Sequence, residues 1–173
     1  MRRLIVAILL CVSPTIALVG CSKGIGSEVK TLVRAIDGHI DLNVANLEVI
    51  ANYMADKPNL YLSIGSLRGA FEQMDEQSGA TTSVSDQRLL LALREVSVYS
   101  VQWRNDGVLS IHLDIPLPER LQIRQPGAFI ETFVESSRLA ECSTVEANAE
   151  EIHCRHQSNT DSRWWIRVDV RSL

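Results

Sequence analysis

The sequence predicts a single α+β domain in which N-terminal helices pack on an antiparallel β-sheet of about four or five strands, with one disulfide. Three observations support this fold class. Apolar residues between positions 27 and 56 recur with helical spacing. Apolar and polar residues alternate over residues 96–115, and they alternate again near the C-terminus. Such alternation is typical of half-buried strands.

The first 21 residues have the pattern of an export signal that ends in a cysteine. Arg2 and Arg3 precede an apolar run at residues 4–19, and the run ends in Leu18-Val19-Gly20-Cys21. This ending resembles the lipobox of bacterial lipoproteins, with all four positions matched. An ordinary secretory signal does not need the cysteine. An uncleaved spanning helix needs about 20 apolar residues and would not favour Pro14 in its interior.

The resemblance implies how the protein is held in the cell. In bacterial lipoproteins the peptidase cuts before the cysteine, here Cys21, and the mature N-terminus carries a diacylglycerol and an amide-linked palmitate. Ser22 follows the cysteine where an aspartate would retain such a protein in the inner membrane, so the resemblance implies an outer-membrane anchor facing the periplasm. The expected organisation is a signal peptide at 1–20, a lipidated tether at 21–26 and one globular domain at 27–173.

The net charge of the chain restricts the kinds of binding partner to be expected. The whole chain has a formal charge of −4, and removal of Arg2 and Arg3 with the signal peptide changes this to −6. No basic run is present in the sequence, so a nucleic-acid partner is not expected. An acidic protein beside an anionic membrane is expected to be held there by its lipid and not by charge.

Cysteine usage agrees with export. Cys11 leaves with the signal peptide and Cys21 would carry the lipid, which leaves Cys142 and Cys154. In an oxidising compartment this pair predicts a disulfide that closes a loop of about 13 residues. Two reduced thiols or a metal or redox site are the alternatives, but the spacing is not C-x-x-C and there is no second ligand pair.

Two helices are predicted in the first part of the domain. The first, capped by Ser27, ends at Gly38, and the second runs from Asn43 to the stop at Lys57-Pro58. One helix bent at Gly38 is an alternative. Residues 29–54 also fit four heptads with one polar residue, Asn43, on the heptad seam. Such a pattern would suit an oligomeric coiled coil. Packing on the protein's own sheet is favoured because apolar residues also lie off the seam.

The next segment mixes weak and strong signals. Residues 59–64 predict a short strand or an extended link, and residues 67–74 predict a short helix. Residues 75–85 are small and polar and predict a loop. Ser85 or Asp86 is then expected to cap a short helix that runs through Leu93.

A β-hairpin at residues 96–115 is the clearest tertiary prediction. A three-residue loop at 105–107 pairs Trp103 with Leu109, and it keeps both apolar sets on one face. The same register pairs Val101 with Ile111 and Tyr99 with Leu113. Gly107 would supply the left-handed residue of a type I turn with a G1 bulge.

The C-terminal part is predicted less sharply. Residues 128–138 have the spacing of a helix after the strand breakers Pro116 and Pro118. Cys142 and Cys154 are expected to face each other across a hairpin whose turn lies near residues 147–149. A final strand begins at Trp164, and its alternate residues are apolar as far as Val170.

Catalytic residues are hard to find. Ser27 and Lys30 match S-x-x-K, but no companion motif follows, so we discard this match. His112 and Asp114 share one strand face and are the candidates for a small hydrolase-like enzyme, although a solvated polar face that includes Ser110 explains them without any chemistry. No cofactor and no metal are predicted. His153 and His156 would point to opposite faces of a strand.

A binding role is favoured over a catalytic one. Trp165, with Arg163 and Arg167 beside it, could form a contact patch, because exposed tryptophan and arginine anchor interfaces. The sequence therefore predicts a non-catalytic binding or accessory lipoprotein of the cell envelope. A small envelope enzyme that uses His112 and Asp114 is one alternative, and an immunity lipoprotein that neutralises a toxin is another.

Overall fold

A computed structural model describes residues 25–65, 70–114, 121–122, 128–132, 139–146 and 151–172. The predicted signal peptide, the lipobox-like run with Cys21 and the residues around Pro116 and Pro118 lie outside this part of the chain. The helices are α1 (Ile25–Met54) and α2 (Gln87–Glu95), and a 3₁₀ turn spans Cys142–Thr144. The strands are β1 (Leu60–Ile64), β2 (Phe71–Asp75), β3 (Thr81–Ser83), β4 (Val98–Trp103), β5 (Leu109–Leu113), β6 (Leu121–Gln122), β7 (Ala128–Thr132), β8 (Ala140–Glu141), β9 (Glu151–Gln157) and β10 (Trp164–Ser172).

Helix α1 is continuous over 30 residues, so the prediction that a first helix ends at Gly38 is wrong. Gly38 lies on the exposed side of α1, where a missing side chain leaves no hole in the core and the cost of glycine is only about 1 kcal/mol. The apolar face on the other side supplies the stability that outweighs this cost. In the part of the chain that the structure describes, no helix has the length and apolar character needed to cross a bilayer.

The heptad face of α1 is buried in the core of its own chain. It consists of Val29, Val33, Ile36, Ile40, Asn43, Leu47, Ile50 and Met54. The polar member, Asn43, is satisfied because its side-chain amide donates to the carbonyl of His39 at 3.0 Å. The heptad pattern thus arises from packing on the protein's own sheet, as predicted. A coiled coil is not required to explain it.

Helix α2 begins where a capping residue was expected. The side chain of Asp86 accepts hydrogen bonds from the backbone amides of Arg88 and Leu89 at 2.9 and 3.0 Å. The helix packs along α1, and its end is held there because Nε2 of His39 donates to the carbonyl of Val96 at 2.9 Å.

The hairpin of β4 and β5 has the predicted turn. Trp103 pairs with Leu109 and Val101 with Ile111, and Gly107 has a φ of +78°. The third predicted pair is wrong, because the register shifts between residues 98 and 100 and Leu113 pairs with Val98. Tyr99 becomes the extra residue of a bulge, which leaves its side chain 43% exposed.

The described strands form one sheet with more members than the sequence suggested. Its order is β3-β2-β1-β4-β5-β7-β10-β9-β8, and β6 pairs with the end of β10. All of the described pairs are antiparallel except β8 with β9. The α+β class, the antiparallel sheet and the disulfide are therefore confirmed. The helices cover one face of the sheet, which we call the inner face, and the opposite face is the outer face.

Two segments predicted as helices are strands. Residues 71–75 form β2 beside β1, and residues 128–132 form β7 between β5 and β10. The rest of those predicted helices, residues 67–69 and 133–138, lies outside the described residues. Ala70 is described and is not helical. A short apolar run fits either periodicity, and here the hydrogen bonds of two neighbouring strands decide. Ile130 of β7, for example, lies in register between Ile111 and Ile166.

The disulfide joins Cys142 to Cys154, and both cysteines are buried. The predicted hairpin around it is wrong, because β8 runs parallel to β9 and Ala140 is the partner of Cys154. Cys142 then lies in the 3₁₀ turn that follows β8. The bond therefore fastens an edge strand and its turn to the sheet.

Candidate binding surface

The outer face of β10 presents two of the three residues that the sequence singled out for binding, Trp165 and Arg167. Trp164, Ile166 and Val168 point into the core and are at most 3% exposed. Trp165 and Arg167, which alternate with them, are half-buried and lie on the outer face. This strand has the alternation predicted from its sequence.

A third member of the surface comes from the neighbouring strand. The guanidinium carbon of Arg155 lies 4.6 Å from the ring centroid of Trp165. Arg155 is the direct partner of Arg167 across β9 and β10, so it reaches Trp165 diagonally. Such a cation–π contact at a partly exposed site contributes about 0.5–1 kcal/mol. Sequence analysis missed Arg155 because its place depends on the register of two strands.

An ion-pair chain continues the surface from Arg167. Its Nε atom lies 2.9 Å from Oδ2 of Asp169, and Nδ1 of His153 lies 3.1 Å from Oδ1 of the same carboxylate. Nε2 of His153 is also 3.3 Å from a carboxylate oxygen of Glu151. The hydrogen bond to Asp169 raises the pKa of His153, and partial burial opposes it without reversing the direction. We call Trp165, Arg155, Arg167, Asp169 and His153 the tryptophan surface.

Arg163 does not belong to this surface, although its spacing suggested that it would. It lies in the turn before β10, where its guanidinium binds Asp161 and Glu48 of α1, the latter at 2.7 Å. The hydrogen bonds to Asp161 and Glu48 raise the pKa of Arg163. The turn between β9 and β10 is thereby tied to the helix.

A polar clamp, which the sequence did not predict, lies beside this ion pair. The carboxylate of Asp37 accepts hydrogen bonds from Oγ of Ser158 at 2.8 Å, from the backbone amide of Asn159 at 3.1 Å and from its side-chain amide at 2.6 Å. Burial raises the pKa of Asp37, but the hydrogen bonds from Asn159 and Ser158 lower it by more. The group is therefore held as a carboxylate that fastens α1 to the turn.

The catalytic candidates have a different setting. The ring of His112 packs edge-on against Tyr99, with 5.0 Å between the ring centroids. Asp114 lies past the end of β5 and is exposed. Ser110 is only 3% exposed, which does not fit the expectation of a solvated polar face. Enzymatic use of His112 and Asp114 stays a prediction.

A depression of about 460 Å³ lies at the other end of the hairpin. It is lined by Glu76, Gln102, Trp103, Arg104, Asn105 and Asp106. Neither His112 nor Asp114 contributes to it.

The two histidines of β9 lie on opposite faces, as predicted. His153 belongs to the tryptophan surface on the outer face. His156 lies on the inner side, where its Nδ1 donates to a carboxylate oxygen of Glu141 at 2.8 Å. Each imidazole therefore has its own carboxylate.

Comparison of the chain with protein families, with curated proteins and with solved structures finds no match.

Proposed function

We propose that this protein is a lipid-anchored, non-catalytic binding or accessory protein of the bacterial cell envelope, held at the outer membrane and facing the periplasm. The lipobox Leu18-Val19-Gly20-Cys21 is the observation that carries the proposal. A diacylglycerol on the thiol of Cys21, with an amide-linked palmitate, supplies the two acyl signals that stable anchoring needs. The Cys142–Cys154 disulfide supports an oxidising compartment.

The tryptophan surface supports binding as the role of the domain. Tryptophan and arginine are the residues that most often dominate binding energy at interfaces. Trp165 is half-buried, and the stacked Arg155 orders both side chains before a partner arrives. Pre-ordering lowers the entropy that binding costs. The ion-pair partners around Arg167 supply polar groups at the rim of such an interface.

The anchor is tested by the intact mass of the full-length protein recovered from the membrane fraction under non-reducing conditions. A chain that begins at Cys21 and carries added acyl mass is expected, and Cys21→Ala should lose that mass. The same spectrum should be two hydrogens light for the Cys142–Cys154 bond. An unmodified chain in the soluble periplasm would contradict the proposal.

The binding surface is tested by cross-linking in intact cells. The variant Trp165→Ala is expected to reduce any specific cross-linked species by tenfold or more, since hot-spot truncations cost about 2 kcal/mol or more. Leu91→Ala is the matched control, because Leu91 is a large apolar residue of α2 that is 59% exposed. Equal cross-linking by the two variants would exclude the tryptophan surface.

A further inference from the structure

On its solvent-facing side, helix α1 has basic residues nearer its beginning and acidic residues in its middle and second half. Lys30 and Arg34 lie near its beginning and are exposed, whereas Asp41 and Glu48 follow on the same side and are also exposed. The spacings of four and seven residues place all four on one stripe of the helix. Just past the helix, acidic Asp56 and basic Lys57 are both exposed.

Helix stability does not explain this order. The helix dipole favours acidic residues near the beginning of a helix and basic residues near its end. Glu28 follows that rule in the first turn, and Lys57 follows it just past the last turn, where its ammonium donates to the carbonyl of Tyr53. Lys30 and Arg34 lie beyond the first turn, where the dipole has little effect, and Glu48 is accounted for by its ion pair with Arg163. The helix itself therefore supplies no cause for two exposed basic residues near its beginning.

The lipobox supplies that cause, since three residues separate Cys21 from the beginning of α1 at Ile25. A chain of that length spans at most about 14 Å. The first turns of α1 are therefore close to any bilayer that holds the acyl chains. Lys30 lies about 16 Å before Asp41 along the helix axis, which is more than a Debye length of about 8 Å at physiological salt. A charged surface at the anchor thus acts on Lys30 much more than on Asp41 or Glu48. Glu28 lies nearer still to the anchor but is only partly exposed.

We propose that the segment of α1 around Lys30 and Arg34 rests on an anionic bilayer surface and holds the domain upright. This inference rests on the proposed lipid anchor. The opposite pole is then the turn between β4 and β5, because Nε1 of Trp103 donates to the carbonyl of Met54 at 2.9 Å. Thr31 and Met54 are 23 residues apart, or about 35 Å along the helix. The polar depression at Gln102 and Asp106 therefore projects away from the membrane.

The electrostatic term can be stated as a fold-change. A lysine or arginine next to an anionic leaflet raises membrane affinity roughly fivefold. Together, Lys30 and Arg34 should favour the upright orientation by about 5- to 25-fold over one that lifts them from the surface, because Arg34 lies about 6 Å farther along the helix than Lys30. The net charge of −6 therefore does not by itself decide how the protein meets the membrane, because charge is distributed unevenly along α1.

The experiment uses the mature lipoprotein in vesicles of phosphatidylethanolamine and phosphatidylglycerol. One environment-sensitive fluorophore is attached through Thr31→Cys or through Asp106→Cys, both at exposed positions. Doxyl-labelled lipid, which quenches at short range, should quench the label at position 31 several-fold more strongly than the label at position 106. Salt at 0.5 M or vesicles of phosphatidylcholine should reduce this difference.

Charge reversal shows whether the two basic residues are responsible. The double variant Lys30→Glu/Arg34→Glu should abolish most of the difference in quenching. The double variant Arg88→Glu/Arg94→Glu makes the same charge change on the exposed side of α2 and should leave the difference in place. Persistence of the difference in Lys30→Glu/Arg34→Glu overturns the proposal.

The mass spectrum of each sample distinguishes failure of the lipid anchor from failure of the upright orientation. A chain without acyl mass overturns both the anchor and the orientation. A lipidated chain whose two labels are quenched equally overturns the orientation alone.

Discussion

Helix α1 is attached to the rest of the domain in two chemically different ways. One side of the helix packs a face that is apolar except for Asn43 on the sheet, and this face includes Leu47, which has no exposed surface. The flank of its middle part is held instead by polar contacts, from Asp37 to the turn at Ser158 and Asn159 and from Glu48 to Arg163. The apolar attachment recurs with the helical period, whereas the polar one joins residues more than 100 positions apart.

The comparison shows which attachment contributes most of the stability and which one positions the turn between β9 and β10. Burial of each large aliphatic side chain contributes about 1.5–3 kcal/mol, and the helix face repeats this over many turns. Hydrogen bonds to a charged group contribute about 1.5–3 kcal/mol where they are shielded from water, and much less where they are exposed. The apolar face should therefore dominate stability, and the clamp should position the β9–β10 turn.

Leu47→Ala should have the largest effect. Removal of a buried leucine side chain costs about 2–5 kcal/mol, because the cavity collapses only in part. The change in the free energy of unfolding is measured by urea denaturation. Leu42→Ala is the matched control on the same helix, since Leu42 is 83% exposed and its truncation should cost less than about 0.5 kcal/mol. Similar losses in the two variants would contradict the assigned buried face.

Removal of the disulfide should come next. Cys142→Ala/Cys154→Ala frees a loop whose ends are 12 residues apart, and the lost constraint on the unfolded chain is worth about 3 kcal/mol. Urea denaturation with and without reductant measures it. Reductant should destabilise the wild-type protein by a similar amount and leave the variant unchanged. A stable wild type under full reduction would show that the bond contributes little.

Asp37→Asn tests the polar attachment. The amide loses one acceptor oxygen and the charge, so the free energy of unfolding should fall by about 1–2 kcal/mol. Asp41→Asn, one turn later at an exposed position, is the control and should be nearly neutral. A loss as large as that of Leu47→Ala would reverse the ranking of the two attachments.

The clamp also predicts a pH dependence. Burial opposes ionisation of Asp37, but the hydrogen bonds from Asn159 and Ser158 outweigh it and lower the pKa below that of the unfolded chain. A lowered carboxyl pKa contributes stability above the unfolded value, and this contribution is lost as the pH falls through the folded value. Thermal melts of wild type and Asp37→Asn should therefore converge in acid and separate towards neutral pH. Parallel curves would exclude a charged clamp.

The substitution with the smallest expected effect should increase the stability of the protein. Gly38→Ala should stabilise the protein by about 0.5–1 kcal/mol, because a Cβ at this helical position meets no atom within 4 Å. Thermal unfolding measures it as a rise of roughly 2–4 °C per kcal/mol. Gly107→Ala is the opposing control, since its φ of +78° strains any residue with a side chain. Loss of stability in Gly38→Ala would indicate that α1 needs flexibility at this point.

The local and periodic features of the fold could be predicted from the chain. The hairpin turn at Gly107, the cap at Asp86 and the alternation from Trp164 onward each depend on a few neighbouring residues. Strands β2 and β7 could not be predicted, because their apolar runs are short and fit a helix equally well. Arg155 was missed for a related reason, since its contact with Trp165 needs the register of β9 against β10.

Sequence alone determined the α+β class, the pairing of the cysteines and the lipobox-like run on which the proposed anchor rests. The fold class follows from short-range periodicity, the disulfide from the one cysteine pair left in the mature chain, and the lipobox-like run from four consecutive residue types. Only the tertiary structure decided that α1 is one helix, that β8 runs parallel to β9 and that Asp37 holds a turn about 120 residues later. Those outcomes depend on which surfaces meet when the chain collapses, and hydrogen bonds between distant residues leave no period in the sequence.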